Sequence, residues 1–256
     1  MTSSLGVLRM VTVILVATIG LVLIFFASLV PFKIRRVQLS LWVTVFLCRI
    51  FNLIFNVRIN CTDPVKLRFH EGFIFMNHMS YLEALGVLSL APVRFLAAAE
   101  VRMRPLSGWM AEQIGTIFVK REDKHSRAVA RESIINVLEK EIFPPLVVFP
   151  EGRLGMGDRV NQFRYGTFEI AAQTSVPYLV CAVQFNRPDV AVWRGAQGEG
   201  LASAMWRLAK SRGKIYVDIF PLDIIYPKRD DDPRQLANNA RRAVADRLGL
   251  SERIAI

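Results

Sequence analysis

Phe73-Ile74-Phe75-Met76-Asn77-His78-Met79-Ser80-Tyr81-Leu82-Glu83 decides the fold class of this chain. Four apolar residues follow Gly72 and give way to a polar turn, which is the form of a short buried strand. The residues after Ser80 turn to a helical pattern, so the segment reads as strand, turn and helix. Outward from it, short apolar runs alternate with helical stretches, the pattern of an α/β domain. Strands are expected at 72–77, 93–97, 115–120, 146–149, 178–184 and 214–220, and helices at 81–90, 124–141, 163–174, 200–212 and 232–248. In the last helix Leu236, Ala240, Val244 and Leu248 recur every four residues and make one packing face.

The N-terminus has a different character. Residues 11–30 carry no charge and end at Pro31. Twenty residues at about 1.5 Å each span roughly 30 Å, the thickness of a hydrocarbon core. That length, with no small-x-small cleavage site after it, favours an uncleaved anchor over a signal peptide. A second apolar stretch, 39–55, holds Trp42, Phe46, Phe51 and Phe55 with Arg49 among them. Charge is costly at mid-bilayer, so this stretch is expected to lie in the interface or re-enter one leaflet. The alternative is a core helix of the following domain. Lys33, Arg35 and Arg36 favour anionic headgroups on the cytoplasmic side and put the rest of the chain in the cytoplasm. Residues 1–56 are therefore expected to be a membrane-anchoring helix pair and 57–256 the catalytic domain.

Composition narrows the function. Of the 256 residues 52% are hydrophobic, the mean hydropathy is +0.31, and the formal net charge is +11. Disorder, collagen-like repeats and coiled coil are excluded by that content. Arg9, Lys33, Arg35, Arg36, Arg49 and Arg58 precede the first acidic residue, Asp63, so much of the excess charge belongs to the apolar N-terminus. With no aromatic–basic recognition motif, this distribution points to a membrane and not to nucleic acid. Cys48, Cys61 and Cys181 have no metal spacing and read as small buried hydrophobes in a reducing compartment. HExxH, GxSxG, Walker A and GxGxxG patterns do not occur, which removes the usual support for zinc peptidases, α/β-hydrolases and P-loop enzymes. No metal or bound cofactor is indicated, and oligomeric state is not legible.

His78 sits in the turn before the helix and Glu83 in its first turn. Folded back, the imidazole can give one ring proton to the carboxylate and keep the other nitrogen as a base for an alcohol attacking a thioester or ester. Ser80-x-x-Glu83 is equally a capping box, in which Glu83 only satisfies the helix start. Spacing alone leaves both readings open.

Further motifs bear on that choice. Asn77-His78 with Glu83 resembles the first motif of the glycerolipid acyltransferases, the family of 1-acylglycerol-3-phosphate acyltransferase. Gly115-Thr116-Ile117-Phe118-Val119-Lys120-Arg121 is similar to the second motif, Phe149-Pro150-Glu151-Gly152 to the third and Val176-Pro177-Tyr178 to the fourth. Pro105-Leu106-Ser107-Gly108-Trp109 and Phe163-Arg164-Tyr165-Gly166 fall where the family has related segments. The resemblance runs from about residue 56 to 226. It implies a mixed central sheet flanked by helices, behind a membrane-anchoring helix pair. It also implies transfer of a fatty acyl group from acyl carrier protein or coenzyme A to a lysolipid hydroxyl, with both substrates as transient partners.

By matching positions, His78 would be the general base and Glu83 its orienting carboxylate. Arg121, Glu151, Gly152 and Arg153 would bind the acceptor headgroup, since an arginine at a strand end can hold a phosphate with two parallel donors. The bland readings are a solvated Arg121 and a Pro-Glu-Gly turn. Two positions depart from the pattern. Glu83 stands where the family usually has aspartate, and Glu151-Gly152-Arg153-Leu154 replaces Glu-Gly-Thr-Arg. Gly155, Gly157 and the polar run to Gln162 read as a loop beside the site. Phosphatidic acid synthesis from lysophosphatidic acid leads the expectations. A lyso-aminolipid or another lysophospholipid is the second acceptor class, and a catalytically silent lipid-binding protein the third reading.

Overall fold

The computed structural model describes residues 2–104, 107–120 and 123–250. α1 (Thr2–Ser28) leads through a ribbon of β1 (Lys33–Ile34) and β2 (Val37–Gln38) into α2 (Leu39–Ile54). The main sheet then collects β3 (Val57–Cys61), β4 (Phe73–Met76), β5 (Arg94–Ala98), β6 (Ile117–Val119), β7 (Leu146–Val148), β8 (Tyr178–Phe185) and β9 (Ile215–Ile225). Connections carry α3 (Pro64–Phe69), α4 (Leu82–Leu90), α5 (Ala99–Arg102), α6 (Ser107–Gln113), α7 (Lys124–Lys140), α8 (Gly166–Thr174), α9 (Pro188–Ala191) and α10 (Leu201–Lys210), and α11 (Pro233–Arg247) follows the last strand.

The strand order is β3-β9-β8-β4-β7-β5-β6. Among the described residues of this sheet only the β8–β9 pair is antiparallel, so the sheet is mixed and mostly parallel. β4 lies at its centre and is buried on both faces, which is why its four residues are all apolar. The period of two divides them. Ile74 and Met76 face a layer that includes Leu41, Val45 and Cys48 of α2, Val87 of α4 and Leu208 of α10. Phe73 and Phe75 face Ile134 of α7, Phe168 of α8 and Val244 of α11. Helices thus cover both faces of one sheet. Cys48 and Cys181 are buried within the first layer, where burial pushes the thiols up, and Cys61 is half-buried.

Strand register builds the site. Phe73 pairs with Leu146 and Phe75 with Val148, so the turns after β4 and β7 emerge side by side. The chain leaves β4 for β5, beyond β7, and leaves β7 for β8, on the far side of β4. Crossovers that diverge in this way open a crevice at the carboxyl ends of two neighbouring strands.

Among the described residues, one helix is long and apolar enough to cross a membrane, over Ser4–Ser28. It begins before the uncharged run, and it includes Arg9, whose guanidinium donates to the carbonyls of Ala209 and Ser211 at 3.2 and 2.8 Å. Gly6, Val13, Gly20 and Ala27 recur every seventh residue as its buried stripe. Gly20 has to be small, because a Cβ there would stand 2.6 Å from Leu47 Cδ1 of α2. Val11, Leu15, Val22 and Phe26 face outward. The second apolar stretch divides between the two expectations for it. α2 packs Leu41, Val45 and Cys48 into the domain core and leaves Phe46 and Leu53 exposed.

Candidate active site

The turn after β4 is fastened before it does anything else. Asn77 Nδ2 donates to the Val183 carbonyl at 3.0 Å, and its Oδ1 accepts from the Val183 N–H at 2.8 Å. This pair ties the end of β4 to β8, and it explains a buried asparagine at this position. His78 follows with its side chain 22% exposed, beside the fully buried Glu83 in the first turn of α4. His78 Nδ1 lies 2.6 Å from Glu83 Oε1. The same oxygen accepts from the N–H groups of Met79 and Ser80, each at 2.8 Å. The two readings of Ser80-x-x-Glu83 are therefore one arrangement: Glu83 satisfies the backbone at the helix start and also holds the imidazole. Glu83 Oε2 is buried and, among the described residues, has no hydrogen-bond partner. A carboxylate on Nδ1 fixes the tautomer with Nδ1–H, and the basic lone pair is then on Nε2.

The turn after β7 supports the same histidine from below. Phe149 stacks on the imidazole with ring centres 4.2 Å apart and planes 19° from parallel. Glu151 is 4% exposed. Its Oε1 accepts from the His78 backbone N–H at 2.8 Å, and its Oε2 from the N–H and Nδ2 of Asn161 at 3.0 and 2.6 Å. Burial raises the Glu151 pKa against those donors, which pull it down. The Gly155 N–H donates to the His78 carbonyl at 2.7 Å, so His78 is held by both its backbone groups. Glu151 thus braces the His78 turn with both oxygens, an inward use that the bare Pro-Glu-Gly turn does not suggest. Gly152 adopts φ +68°, and a Cβ there would meet Arg164 Nε at 2.7 Å. Arg153 is exposed at the rim, with Nη2 3.3 Å from Asn161 Oδ1.

Of the expected site residues Arg121 lies outside the described residues, as do Pro105 and Leu106 of the Pro105–Trp109 segment. β6, which carries the second motif, is the edge strand beside β5. An apolar cavity of 320 Å³ opens between α7 and α8, walled by Leu96, Val119, Ile134, Val148, Phe149 and Ile170. Phe149 belongs both to this wall and to the stack on His78, so the imidazole stands next to an apolar chamber. Among the described residues, no three His, Cys, Asp or Glu side chains are grouped to hold a metal ion.

Four residues of the site were not expected in these roles. Asn161 comes from the polar run after Gly157, where a carboxylate ten positions earlier gives the only local hint. The sequence shows Phe149 and Arg164 as motif members, and the structure makes them the histidine's stacking partner and the guanidinium over Gly152. Trp193, whose N–H donates to the Met79 carbonyl at 2.9 Å, has no local signal at all because the contact spans over a hundred residues.

Known proteins resemble this chain in sequence and in fold. A family model described as Acyltransferase matches residues 58–184. A lyso-ornithine lipid O-acyltransferase of Pseudomonas aeruginosa is 30% identical over 221 residues, 84% of this chain and 79% of that protein. A lysophospholipid acyltransferase of Arabidopsis thaliana is 28% identical over 71% of this chain, and a lysophosphatidylcholine acyltransferase of Homo sapiens 27% over 68%. The chain spans less than half the length of those two eukaryotic proteins, 48% and 32%. The crystal structure of a 1-acyl-sn-glycerophosphate acyltransferase from Thermotoga maritima superposes with a TM-score of 0.72 at 16% identity, covering 100% of this chain and 99% of that one, which shows a common fold. The mixed sheet, the histidine turn at its centre and the length of the bacterial match converge: the chain belongs to the glycerolipid acyltransferase family.

Proposed function

We propose that this protein is a membrane-bound O-acyltransferase in which His78 and Glu83 act as a general-base pair on a lysolipid hydroxyl. The observation that carries the reading is the 2.6 Å contact from Nδ1 to a fully buried carboxylate, which leaves Nε2 as the base. Nε2 takes the hydroxyl proton while the oxygen attacks the thioester carbonyl. The tetrahedral centre then collapses, the carbon–sulfur bond breaks, and the imidazolium returns the proton to the thiolate. Glu83 holds the ring and balances its transient charge. The apolar chamber behind Phe149 suits the fatty acyl chain, and Arg121, Arg153 and Arg164 suit an anionic headgroup. Acyl carrier protein and coenzyme A thioesters both fit a basic protein as donors. The apolar α1 and the basic turn at Lys33, Arg35 and Arg36 support membrane attachment with the domain on the cytoplasmic face.

For the acceptor we put a lyso-ornithine type of aminolipid first. The altered third motif, Glu151-Gly152-Arg153-Leu154, and a 30% identical bacterial relative of that name both favour it. Lysophosphatidic acid is the second reading, favoured by the four motifs in order. The test offers both thioester donors to membranes carrying the protein, with lyso-ornithine lipid, lysophosphatidic acid and lysophosphatidylcholine as acceptors. Acylated lyso-ornithine lipid as the main product supports the first reading and phosphatidic acid the second. No acylated product from any pairing overturns the proposal in favour of a silent lipid-binding protein.

A further inference from the structure

Between α9 and α10 the chain forms a loop, closed by a 3-10 turn at Gly195–Gln197, that touches the catalytic turn at one backbone atom. The Trp193 N–H donates to the Met79 carbonyl at 2.9 Å. The Met79 carbonyl and the Ser80 N–H are the two ends of one peptide unit, and that N–H donates to Glu83 Oε1 at 2.8 Å. A continuous file of hydrogen bonds thus runs from Trp193 through one peptide to Glu83 and on to His78 Nδ1. Each bond in such a file orients and polarises the next.

The Gln197 and Glu199 N–H groups close the loop on the Arg194 carbonyl, and a side chain of α10 fastens it to the domain. Arg207, on α10, donates from Nε to the Val190 carbonyl at 3.3 Å and from Nη2 to the Val192 carbonyl at 2.5 Å, and its Nη1 pairs with Glu199 Oε1. Glu199 Oε2 accepts from the Arg194 N–H at 2.9 Å, and the Glu199 carbonyl accepts from the Trp193 indole N–H at 3.0 Å. One guanidinium therefore clamps the entry of the loop and, through Glu199, its exit. Both partners are mostly buried, with side chains 24% and 16% exposed, so the pair is screened less than a surface ion pair. The Tyr81 ring closes the gap edge-on to Trp193, with centroids 6.2 Å apart.

We infer that Arg207, through Glu199 and the Trp193 N–H, is a positioning residue for the Glu83–His78 pair. This rests on the general-base reading above. Arg207 touches no reacting atom; its contribution is to hold the Met79–Ser80 peptide in the orientation that aims Glu83. Lysine cannot replace it fully, because an ammonium lacks the planar fork that spans two carbonyls and a carboxylate.

The test measures kcat and KM, per folded protein by circular dichroism, for Arg207→Ala and Arg207→Lys in wild-type and Glu83→Gln backgrounds. His78→Ala is assayed alongside. In the wild-type background Arg207→Ala should lower kcat by about 10- to 100-fold with both KM values within about twofold, the scale set by small misplacements at a reacting centre. Arg207→Lys should recover part of that loss. In the Glu83→Gln background the same change should cost less than about threefold, because the group it positions is already lost. The same factor in both backgrounds means a purely structural contact and overturns the inference, as does an unchanged kcat. If Arg207→Ala fails to fold, Glu199→Gln, which keeps an acceptor but removes the charge, is read by the same comparison. An inactive His78→Ala with additive Arg207 effects sinks only the positioning role, whereas an active His78→Ala sinks the general-base reading with it.

Discussion

Replacing Glu83 by glutamine keeps the shape of the site and removes one charge, which makes its consequences calculable. Among the described residues Oε1 takes three donors and Oε2 none, so the amide has one orientation open to it, with its oxygen on the three donors. Hydrogen bonds to an ionised acceptor are worth roughly 1.5–3 kcal/mol against about 0.5–1.5 for neutral ones, so three bonds weaken by about 3 kcal/mol together. A buried amide NH₂ without a partner adds about 1–3 kcal/mol. Relief from burying a carboxylate offsets several kcal/mol of this. The expected net loss of about 1–3 kcal/mol corresponds to a fall in Tm of roughly 2–12 °C for a chain of this size. Turnover should fall much further, by about 10²- to 10⁴-fold, because the imidazolium formed as the hydroxyl loses its proton no longer faces a negative charge. KM should not move, since a fully buried side chain does not touch substrate. Steady-state acyl transfer in detergent, with Tm by circular dichroism on the same samples, separates the two effects. A Glu83→Gln protein with lowered Tm but kcat within about threefold of wild type would leave Glu83 as a helix cap only.

Other perturbations test other links. Asn77→Ala leaves the Val183 N–H and carbonyl without partners in a buried setting and should cost about 2–4 kcal/mol, read as a lower midpoint of denaturant unfolding; an unchanged midpoint would remove the β4–β8 clamp from the account. Burial raises the Glu151 pKa, so its contribution to stability is fully present below the ordinary carboxylate range and is lost as pH rises through the raised value. The Tm of wild type minus that of Glu151→Gln should therefore grow as pH falls from neutral into that range, and a difference that stays flat with pH would contradict it. Gly20→Leu puts side-chain atoms where Leu47 already stands and should loosen α1 from α2, read as faster proteolysis between the helices, while the hydrophobic length of α1 is kept. Unchanged proteolysis would argue against the close approach.

Much of the fold was legible because strong local patterns agreed with the global packing. The all-apolar β4, the four-residue stripe of α11 and the amphipathic α10 fall within one or two residues of where the sequence puts them. The misses share a cause. β3 is a five-residue edge strand whose Arg58 and Asn60 break its apolar run, so only pairing with β9 reveals it. α3, α5 and α6 have six, four and seven residues, too few turns for a helical period to register. α2 reads from its aromatic residues and Arg49 as an interfacial helix or a core helix; how it divides between the two depends on α1 and α4, which no local window contains.

In the site, His78 and Glu83 were legible because one short segment holds both, the histidine in the turn before α4 and the carboxylate in its first turn, and further motifs favoured the pair. The acidic Pro-Glu-Gly turn was visible, but its inward use was not, because the donors to Glu151 come from another strand end and from Asn161. Arg207 was invisible for the same reason on a larger scale. Its effect on Glu83 passes through a loop and a peptide that meet only in the folded chain.

With Nε2 of His78 as the base, acyl transfer to a lysolipid hydroxyl depends on that imidazole. The most direct test is the rate of thioester-dependent acylation by His78→Ala, measured beside wild type on membranes with equal protein content and equal membrane association. Transfer should fall to background with thioester-donor and lysolipid binding retained, whereas a His78→Ala protein that acylates at the wild-type rate would contradict a general-base role for His78.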